Sequence, residues 1–263
     1  MTRIERCFYE LRQNNKKALV AFITGGDPDI ETTKQLIFAI EKSGADLIEI
    51  GLPFTDPLAD GPVILQSALR SLSKGTTLNK ILQMVKDIRI ETEVPIVIMS
   101  SYNPIFVHGD ENFIDAAKDA GIDGLIIPDL PPEEGVELEK YAKIKDINLI
   151  YLLAPTSTPE RIKMVTRRST GFIYYISLTG VTGARETIAE GLREKVAYIK
   201  EQTKIPVLIG FGISGPEQAA KAAEISDGVI VGSAIVKIIE TNSDSTRREA
   251  VIKTFINSLK KTI

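Results

Sequence analysis

Residues 47–62 read LIEIGLPFTDPLADGP and join a short apolar run to a polar loop. Glu49 stands between Ile48 and Ile50, so a strand here places a carboxylate on a face that otherwise holds aliphatic side chains. Burial without a charged partner raises the pKa of a carboxyl group, and a glutamate with a raised pKa is suited to general acid–base chemistry. The alternative interpretation is a salt-bridged glutamate with a structural role.

The loop after this run favours a functional site over the structural alternative. It carries Asp56 and Asp60 together with two glycines and three prolines. Such a segment is stiff and polar, and it holds too few apolar residues to belong to a core.

The composition indicates an ordinary globular α/β protein. The chain has 263 residues, 43% hydrophobic and 25% charged, which suffices for one domain of barrel size or for two small domains. The net charge of −3 comes from interspersed signs, so the basic patch typical of a nucleic-acid-binding protein is missing. No run approaches 18 apolar residues, and the charged amino terminus is unlike a signal peptide, so we expect a cytoplasmic protein.

Cysteine and histidine are too scarce for several kinds of site. The one cysteine, Cys7, excludes an intrachain disulfide. The one histidine, His108, excludes histidine-rich metal sites and most Ser–His or Cys–His machinery, and we expect no metal site. His108 itself is interpreted as a loop residue. Chemistry in this chain therefore depends on carboxylates, hydroxyls and backbone dipoles.

Eight apolar runs alternate with helical patterns along the chain. They are continuously apolar, as expected of parallel strands covered by helices. An open doubly wound sheet gives a similar alternation, but units of about 33 residues favour a (β/α)8 barrel. We therefore predict α/β class and a single barrel domain over residues 1–263, with an extra helix at the amino terminus and extra helices after strands two and eight. The predicted strands are residues 19–23, 47–50, 96–99, 125–127, 149–153, 172–176, 207–209 and 229–231.

The helices have recognisable starts. Apolar residues at positions 4, 7, 8 and 11 predict an opening amphipathic helix, on which Cys7 serves as packing. Asp27-Pro28 and Thr158-Pro159 predict helix starts, and Ser214 to Glu217 resembles a capping box. Residues 62–72 and 77–90 predict two helices after strand two.

Glycine-bearing turns follow strands six, seven and eight. These turns are residues 181–184, 210–214 and 232–234, and the last one opens a short helical run over 235–239. Glycine lets backbone N–H groups approach an anion, and a helix amino terminus adds a favourable dipole. Three such turns at neighbouring strand ends of a barrel predict a phosphate site.

Several of these segments resemble the tryptophan synthase alpha chain family, and the resemblance covers essentially the whole chain. Residues 49–62 resemble the pattern E-x-G-x-P-[FY]-S-D-P-x-A-D-G-P, with Thr55 in place of the usual serine. A glutamine that usually comes next to the Val-Ile pair comes one residue later, after Leu65. Residues 174–183 are similar to Y-x-x-S-x-x-G-V-T-G, although several members have arginine or another residue at the position of Leu178. Residues 210–214 are similar to G-F-G-I-S, and the segments 102–105 and 127–134 also match.

The resemblance implies reversible cleavage of indole-3-glycerol phosphate to indole and glyceraldehyde 3-phosphate. It implies that Glu49 is the general acid and base, that Asp60 stabilises the indole N–H, and that Tyr174 orients Glu49 or the substrate. It implies no cofactor in this chain and a partner, the tryptophan synthase beta chain, which carries pyridoxal phosphate in an α2β2 tetramer. The remaining residues carried over are a phosphate cradle of Gly183, Phe211, Gly212, Gly232 and Ser233, an indole pocket of Phe22 and Tyr102, and partner contacts at Asp56, Pro57, Asn103 and Pro104.

Asp129 stands before two prolines at a strand end. We interpret it as a cap of the following helix or as a partner contact, ahead of a catalytic role.

Two other functions remain open at this point. Another phosphate-binding barrel, such as an isomerase or aldolase of sugar phosphates, shares the glycine turns but does not predict the 56–62 loop. A Schiff-base aldolase needs a strand lysine, and none of the eight apolar runs contains one. A noncatalytic regulatory subunit is the third possibility, and the presence of both Glu49 and Asp60 argues against it.

Overall fold

The computed structural model describes residues 1–56, 61–177, 186–210 and 212–263, with only the backbone given for residues 186–190. Within these residues, nine parallel strands form one sheet in the order β5-β4-β3-β2-β1-β9-β8-β7-β6. All pairings are parallel and the strands are almost fully buried, as their apolar sequences predict. The strands are β1 Ala18–Thr24, β2 Leu47–Gly51, β3 Ile96–Met99, β4 Gly124–Ile126, β5 Asn148–Ile150, β6 Leu152–Leu153, β7 Ile173–Ile176, β8 Val207–Gly210 and β9 Gly228–Val231.

The sheet closes into a barrel at Tyr151. The two strands at the ends of the order, β5 and β6, are separated only by this residue. The sequence predicts one strand over 149–153, whereas the structure interrupts it here because the Tyr151 N–H donates to the Ser169 hydroxyl at 3.4 Å. The Tyr151 carbonyl still accepts from the Tyr174 N–H at 3.1 Å, so β5 and β6 occupy one strand position. The predicted eight-position barrel is confirmed.

The described helices surround this barrel and include the predicted additions. Helix α1 precedes β1, α3 and α4 follow β2, and α11 and α12 follow β9. A short helix after β3, α5, was not predicted. The bounds are α1 Arg3–Gln13, α2 Ile30–Lys42, α3 Pro62–Ser73, α4 Leu78–Ile88, α5 Tyr102–His108, α6 Asp110–Ala120, α7 Val136–Ile144, α8 Pro159–Arg168, α9 Glu186–Glu201, α10 Pro216–Ile225, α11 Ser233–Thr241 and α12 Ser245–Lys260.

Helix α1 covers the amino-terminal end of the barrel. Its buried residues Ile4, Phe8 and Leu11 pack with the side chains that fill the barrel interior, and Cys7 packs against the same cluster, as predicted. A second and larger cluster lies between the strands and the outer helices. Because one end is covered by α1, the carboxyl end is the end open to a ligand.

Two predicted helix starts are wrong in detail. Helix α2 is capped by Asp29, whose carboxylate accepts from the Thr32 N–H at 2.7 Å, and not by Asp27. The residue that caps α10 is Gly215, which has no side chain to complete a capping box. The Ser214 N–H instead donates to the side chain of Gln218 at 3.2 Å. The Thr158 cap of α8 is confirmed.

None of the helices in the described residues is long and apolar enough to span a membrane.

Candidate active site

A cavity of about 330 Å³ lies at the carboxyl end of the barrel. Strands β1, β2, β3, β4, β6, β7 and β9 each contribute a side chain to its wall, and most of these side chains are apolar. Such a site suits a ligand with a flat hydrophobic part and a few polar groups. The strand residues that line the cavity are Phe22, Glu49, Met99, Ile126, Leu152, Tyr174, Ile176 and Ile230.

Glu49 is the acidic group of this wall. It is 1% exposed, and the sheet register pairs it with Phe22 on β1 and with Val97 on β3. The ends of the parallel strands therefore bring a carboxyl group into a mainly apolar pocket. A carboxyl group held in such a place is suited to give and take a proton within a bound substrate.

Tyr174 forms another part of the wall and is packed against the end of β8. It is 7% exposed, and Gly210 lies so close that a Cβ atom there would be 2.5 Å from the Tyr174 Oη. The ring thus occupies the space that a side chain at position 210 would need. The glycine at this strand end is required by the position of the tyrosine.

The glycine turns after β8 and β9 also line the cavity. Gly212, Gly232 and Ser233 all line it, and helix α11 begins at Ser233. Gly212 has a φ of +74°, a left-handed conformation that favours glycine. Exposed N–H groups at the start of α11, with its dipole, make this side of the cavity suited to a phosphate.

Four of the residues expected at the site lie outside the described residues. They are Asp60 and Pro57 in the loop after β2, Gly183 in the turn after β7, and Phe211 after β8. Leu178 lies outside them too. The chain resumes at Gly61, and residues 61–64 line the cavity. The loop that carries Asp60 therefore ends at the cavity wall.

Tyr102 is not part of the cavity wall given by the described residues. It begins helix α5, and its hydroxyl donates to the carboxylate of Asp110 on α6 at 3.1 Å. Its N–H donates to Asp129 at 2.9 Å, so Asp129 caps α5 and not the helix that follows it in sequence. His108 ends α5 and does not lie in a loop, and its ring contacts the edge of Phe113.

Comparison with known proteins agrees with this geometry. A sequence profile described as "Tryptophan synthase alpha chain" matches residues 8–263. The chain belongs to this family. Relatives named tryptophan synthase alpha chain from Geotalea daltonii and Caldanaerobacter subterraneus subsp. tengcongensis are 50% and 48% identical to it. These matches span 99% and 100% of this chain, and 98% and 100% of the relatives.

Solved structures give the same result. The crystal structure of the tryptophan synthase alpha chain from Legionella pneumophila subsp. pneumophila has a TM-score of 0.91 and 35% identity, covering 100% of this chain and 97% of that one. A chain from tryptophan synthase of M. tuberculosis, in an open form, has a TM-score of 0.89 and 32% identity, with 100% and 99% covered. These structural neighbours confirm the barrel prediction.

Membership of the tryptophan synthase alpha chain family defines the general activity. The chain is a lyase that carries out the alpha reaction of tryptophan biosynthesis. Alpha chains hold no cofactor of their own, since pyridoxal phosphate belongs to the beta chain, and the family implies a beta-chain partner.

Three of the four residues predicted to contact a beta chain are among the described residues, on a loop and a helix that follow strands of the barrel. Asp56 and Asn103 are exposed and Pro104 is half-buried. Sequence reasoning missed Phe106 and Val107 on the same short helix, which are 67% and 77% exposed. Two adjacent exposed apolar side chains within a helical pattern are a signal that could have found this surface.

Proposed function

We propose that this chain cleaves indole-3-glycerol phosphate with Glu49 as the acid–base group, in the cytoplasm, as the alpha subunit of an α2β2 tryptophan synthase. In this proposal residues 1–263 act as one barrel domain. The observation that carries it is Glu49, 1% exposed, in the same cavity as Gly212, Gly232 and Ser233. An acid–base group and an anion site thus share one mainly apolar cavity.

The chemistry needs an electron sink for the carbon–carbon bond. Protonation at C3 of the indole converts the ring to an iminium-like indolenine, which accepts the electron pair of the breaking bond. Glu49 donates that proton and takes the proton of the glycerol hydroxyl, whose carbon becomes the aldehyde of glyceraldehyde 3-phosphate. One carboxyl group therefore moves both protons, and it returns to its starting state at the end.

Two further residues assist Glu49 in this proposal. Asp60 accepts a hydrogen bond from the indole N–H and stabilises the positive charge that develops on the ring. Tyr174, a cavity-wall residue, orients Glu49 or the substrate. Phe22 lies beside Glu49 in the sheet register and contacts the indole ring.

The phosphate binds at the other side of the cavity. The N–H groups of Gly232 and Ser233 at the start of α11 donate to it, and Gly212 allows close approach of the backbone. Gly183 and Phe211 complete this cradle by their positions in the family pattern.

The partner face comprises Asp56, Pro57, Asn103 and Pro104, extended by Phe106 and Val107. Its exposed apolar side chains would be covered by the beta chain in the tetramer.

The test measures indole release from indole-3-glycerol phosphate by the purified chain, alone and with a tryptophan synthase beta chain. Glu49→Gln keeps the shape of the side chain, so we expect kcat to fall by about 10²- to 10⁴-fold or more while a substrate analogue still binds. Asp60→Asn is expected to lose much of the rate as well.

The outcomes separate the parts of the proposal. Retained turnover in Glu49→Gln removes Glu49 from the mechanism, and an unchanged kcat in Asp60→Asn assigns Asp60 to loop structure. A folded wild-type chain that binds glycerol phosphate but releases no indole, with or without the beta chain, favours a different phosphate-barrel chemistry or a regulatory subunit. Size-exclusion chromatography with light scattering tests the α2β2 composition.

A further inference from the structure

Helix α3 packs on the end of β1 through polar side chains. Ser67 and Ser71 are fully buried on its inner face. The Ser67 hydroxyl lies 2.5 Å from the Thr24 hydroxyl, and the Ser71 hydroxyl donates to the Gly25 carbonyl at 2.6 Å. Hydrogen bonds are directional, so they fix the position of α3 against β1 more narrowly than aliphatic contacts would.

Arg70 lies between these serines on α3 and binds two carboxylates. Its Nε and Nη2 donate to the two oxygens of Asp27 at 2.9 and 2.8 Å, and its Nη1 donates to Glu240 on α11 at 3.0 Å. Asp27 is 1% exposed and follows β1, so the fork of Arg70 joins three elements. The planar guanidinium sets both the distance and the direction of these contacts.

The two helices that Arg70 joins both begin at the cavity. Helix α3 begins at Pro62, which lines the cavity directly after the loop that carries Asp60. Helix α11 begins at Ser233 on the phosphate side. Arg70 and Glu240 are roughly 10 to 12 Å along their helices from these starts, at 1.5 Å per residue. A link between the far parts of two stiff helices fixes the relation of their near ends.

From this arrangement, we infer that Arg70 is a positioning residue that sets the distance between the indole end and the phosphate end of the active site. The inference rests on the function proposed above and adds a residue that contacts neither end of the substrate. Its consequence is specific: loss of the link affects a ligand that spans both ends more than a ligand that occupies one end.

The test compares three ligands by calorimetry on the full chain: indole, glycerol 3-phosphate, and indole-3-propanol phosphate, which carries both ends in one molecule. Glu240→Leu removes the oxygen that accepts from Arg70, which is the α11 arm of the link, and leaves the Asp27–Arg70 pair in place. We expect it to weaken the spanning ligand by about 5-fold or more, the lower range of coupling between two linked sites. Indole and glycerol 3-phosphate should bind as in the wild type.

The matched control is Lys237→Gln. Lys237 is a second cation on Glu240, at 2.6 Å, and it lies on the same helix. We expect it to leave all three affinities unchanged. Arg70→Lys should weaken the spanning ligand further than Glu240→Leu does, since one ammonium group cannot reproduce a fork on Asp27 and a third contact on Glu240.

Equal losses for glycerol 3-phosphate and the spanning ligand in Glu240→Leu would mean that Glu240 acts only on α11, and would overturn the inference. Unchanged binding of all three ligands in Glu240→Leu would overturn it as well. These readings need no catalysis. The proposed function and the link can therefore fail separately. If the Glu240 variant binds the spanning ligand more weakly while the wild-type chain releases no indole, the proposed function is refuted and the link is supported.

Discussion

Substitution of Gly210 by alanine should damage the active site through Tyr174. A Cβ atom at position 210 would lie 2.5, 2.6 and 2.7 Å from Oη, Cε1 and Cζ of that ring. Ordinary contact begins at 3.4 Å, so the hydroxyl has to retreat by 0.9 Å. Tyr174 is 7% exposed and lines the cavity, so its movement changes the space in which the substrate binds. A displacement of this size in a positioned group costs about 10²-fold in rate, and we expect that loss in kcat/KM for indole release.

A double-mutant cycle separates this mechanism from general damage to the fold. Tyr174→Leu removes the ring atoms that the new methyl group would meet, so adding Gly210→Ala to Tyr174→Leu should cost much less than adding it to the wild type. Gly191→Ala is the control, because a Cβ there meets nothing within 4 Å, and it should keep full activity. Additive losses in the cycle, or a Gly210→Ala variant with wild-type kcat/KM, would refute the reasoning.

Two further predictions concern the scaffold. In Gly228→Ala the new Cβ would lie 2.6 Å from both the Cβ and the carbonyl oxygen of Ala18, so β9 and β1 have to separate. We expect the free energy of unfolding, measured by urea denaturation, to fall by about 1–3 kcal/mol. Gly215→Ala, where the nearest atom is the end of a glutamine side chain at 3.7 Å, is the comparison, and equal stability of Gly228→Ala and the wild type would contradict the argument. Burial raises the pKa of the Cys7 thiol from 9.0 to about 12, so the native chain holds far less thiolate at pH 9 than the unfolded chain does. Alkylation of Cys7 by iodoacetamide at pH 9 should be at least about 50-fold slower in the native chain than in urea. Native and unfolded rates that differ by less than about fivefold would contradict the raised pKa. Because the pKa of this thiol is higher in the native chain, its contribution to the free energy of unfolding is present below pH 9 and is lost as the pH rises toward 12. Cys7→Ala should remove this loss.

The strands and their closure into a barrel were predictable because buried parallel strands are continuously apolar. The interruption at Tyr151 was not predictable, since it depends on a hydrogen bond to Ser169, which follows α8. Helix α5 was also missed. Its start depends on Asp129, 27 residues away, which accepts from the Tyr102 N–H.

The candidate site shows the same limit. Glu49, Tyr174 and the glycines after β8 and β9 could be placed because each is fixed by its own strand end. The side chain of Tyr102 turns to Asp110, a direction that no strand period specifies. Arg70 was missed because its partners Asp27 and Glu240 are 43 and 170 residues away in sequence. In the local sequence, an arginine that joins two helices looks the same as an arginine exposed to solvent on an amphipathic helix.

The two ends of the barrel are built on different principles. At the amino-terminal end, one hydrogen bond repeats at four strand starts. The N–H groups of Leu19, Ile96, Leu149 and Val207 donate to the side chains of Asp46, Asp123, Thr170 and Asp227, at 2.7 to 2.9 Å. Asp46, Asp123 and Asp227 each precede a strand that pairs with the donating strand. Thr170 precedes β7, which pairs with β6, the strand in the same position as the donating β5. This repeat therefore helps to fix the register at four places in the barrel.

The carboxyl end has no such repeat among the described residues. Near this end the strands carry residues of different chemistry, with a carboxyl group on β2, a tyrosine on β7 and a glycine at the end of β8. Since the register is already fixed at the amino-terminal end, these side chains are not needed to set it and can serve the reaction instead. The polar residues that position the site, Arg70 with Asp27 and Glu240, also lie on elements that follow the strands. Conservative substitutions at the carboxyl end should therefore reduce activity well before they reduce the free energy of unfolding. Substitution of an aspartate at the amino-terminal end, such as Asp123, which binds Arg89 and the Ile96 N–H, should reduce the free energy of unfolding before it reduces activity.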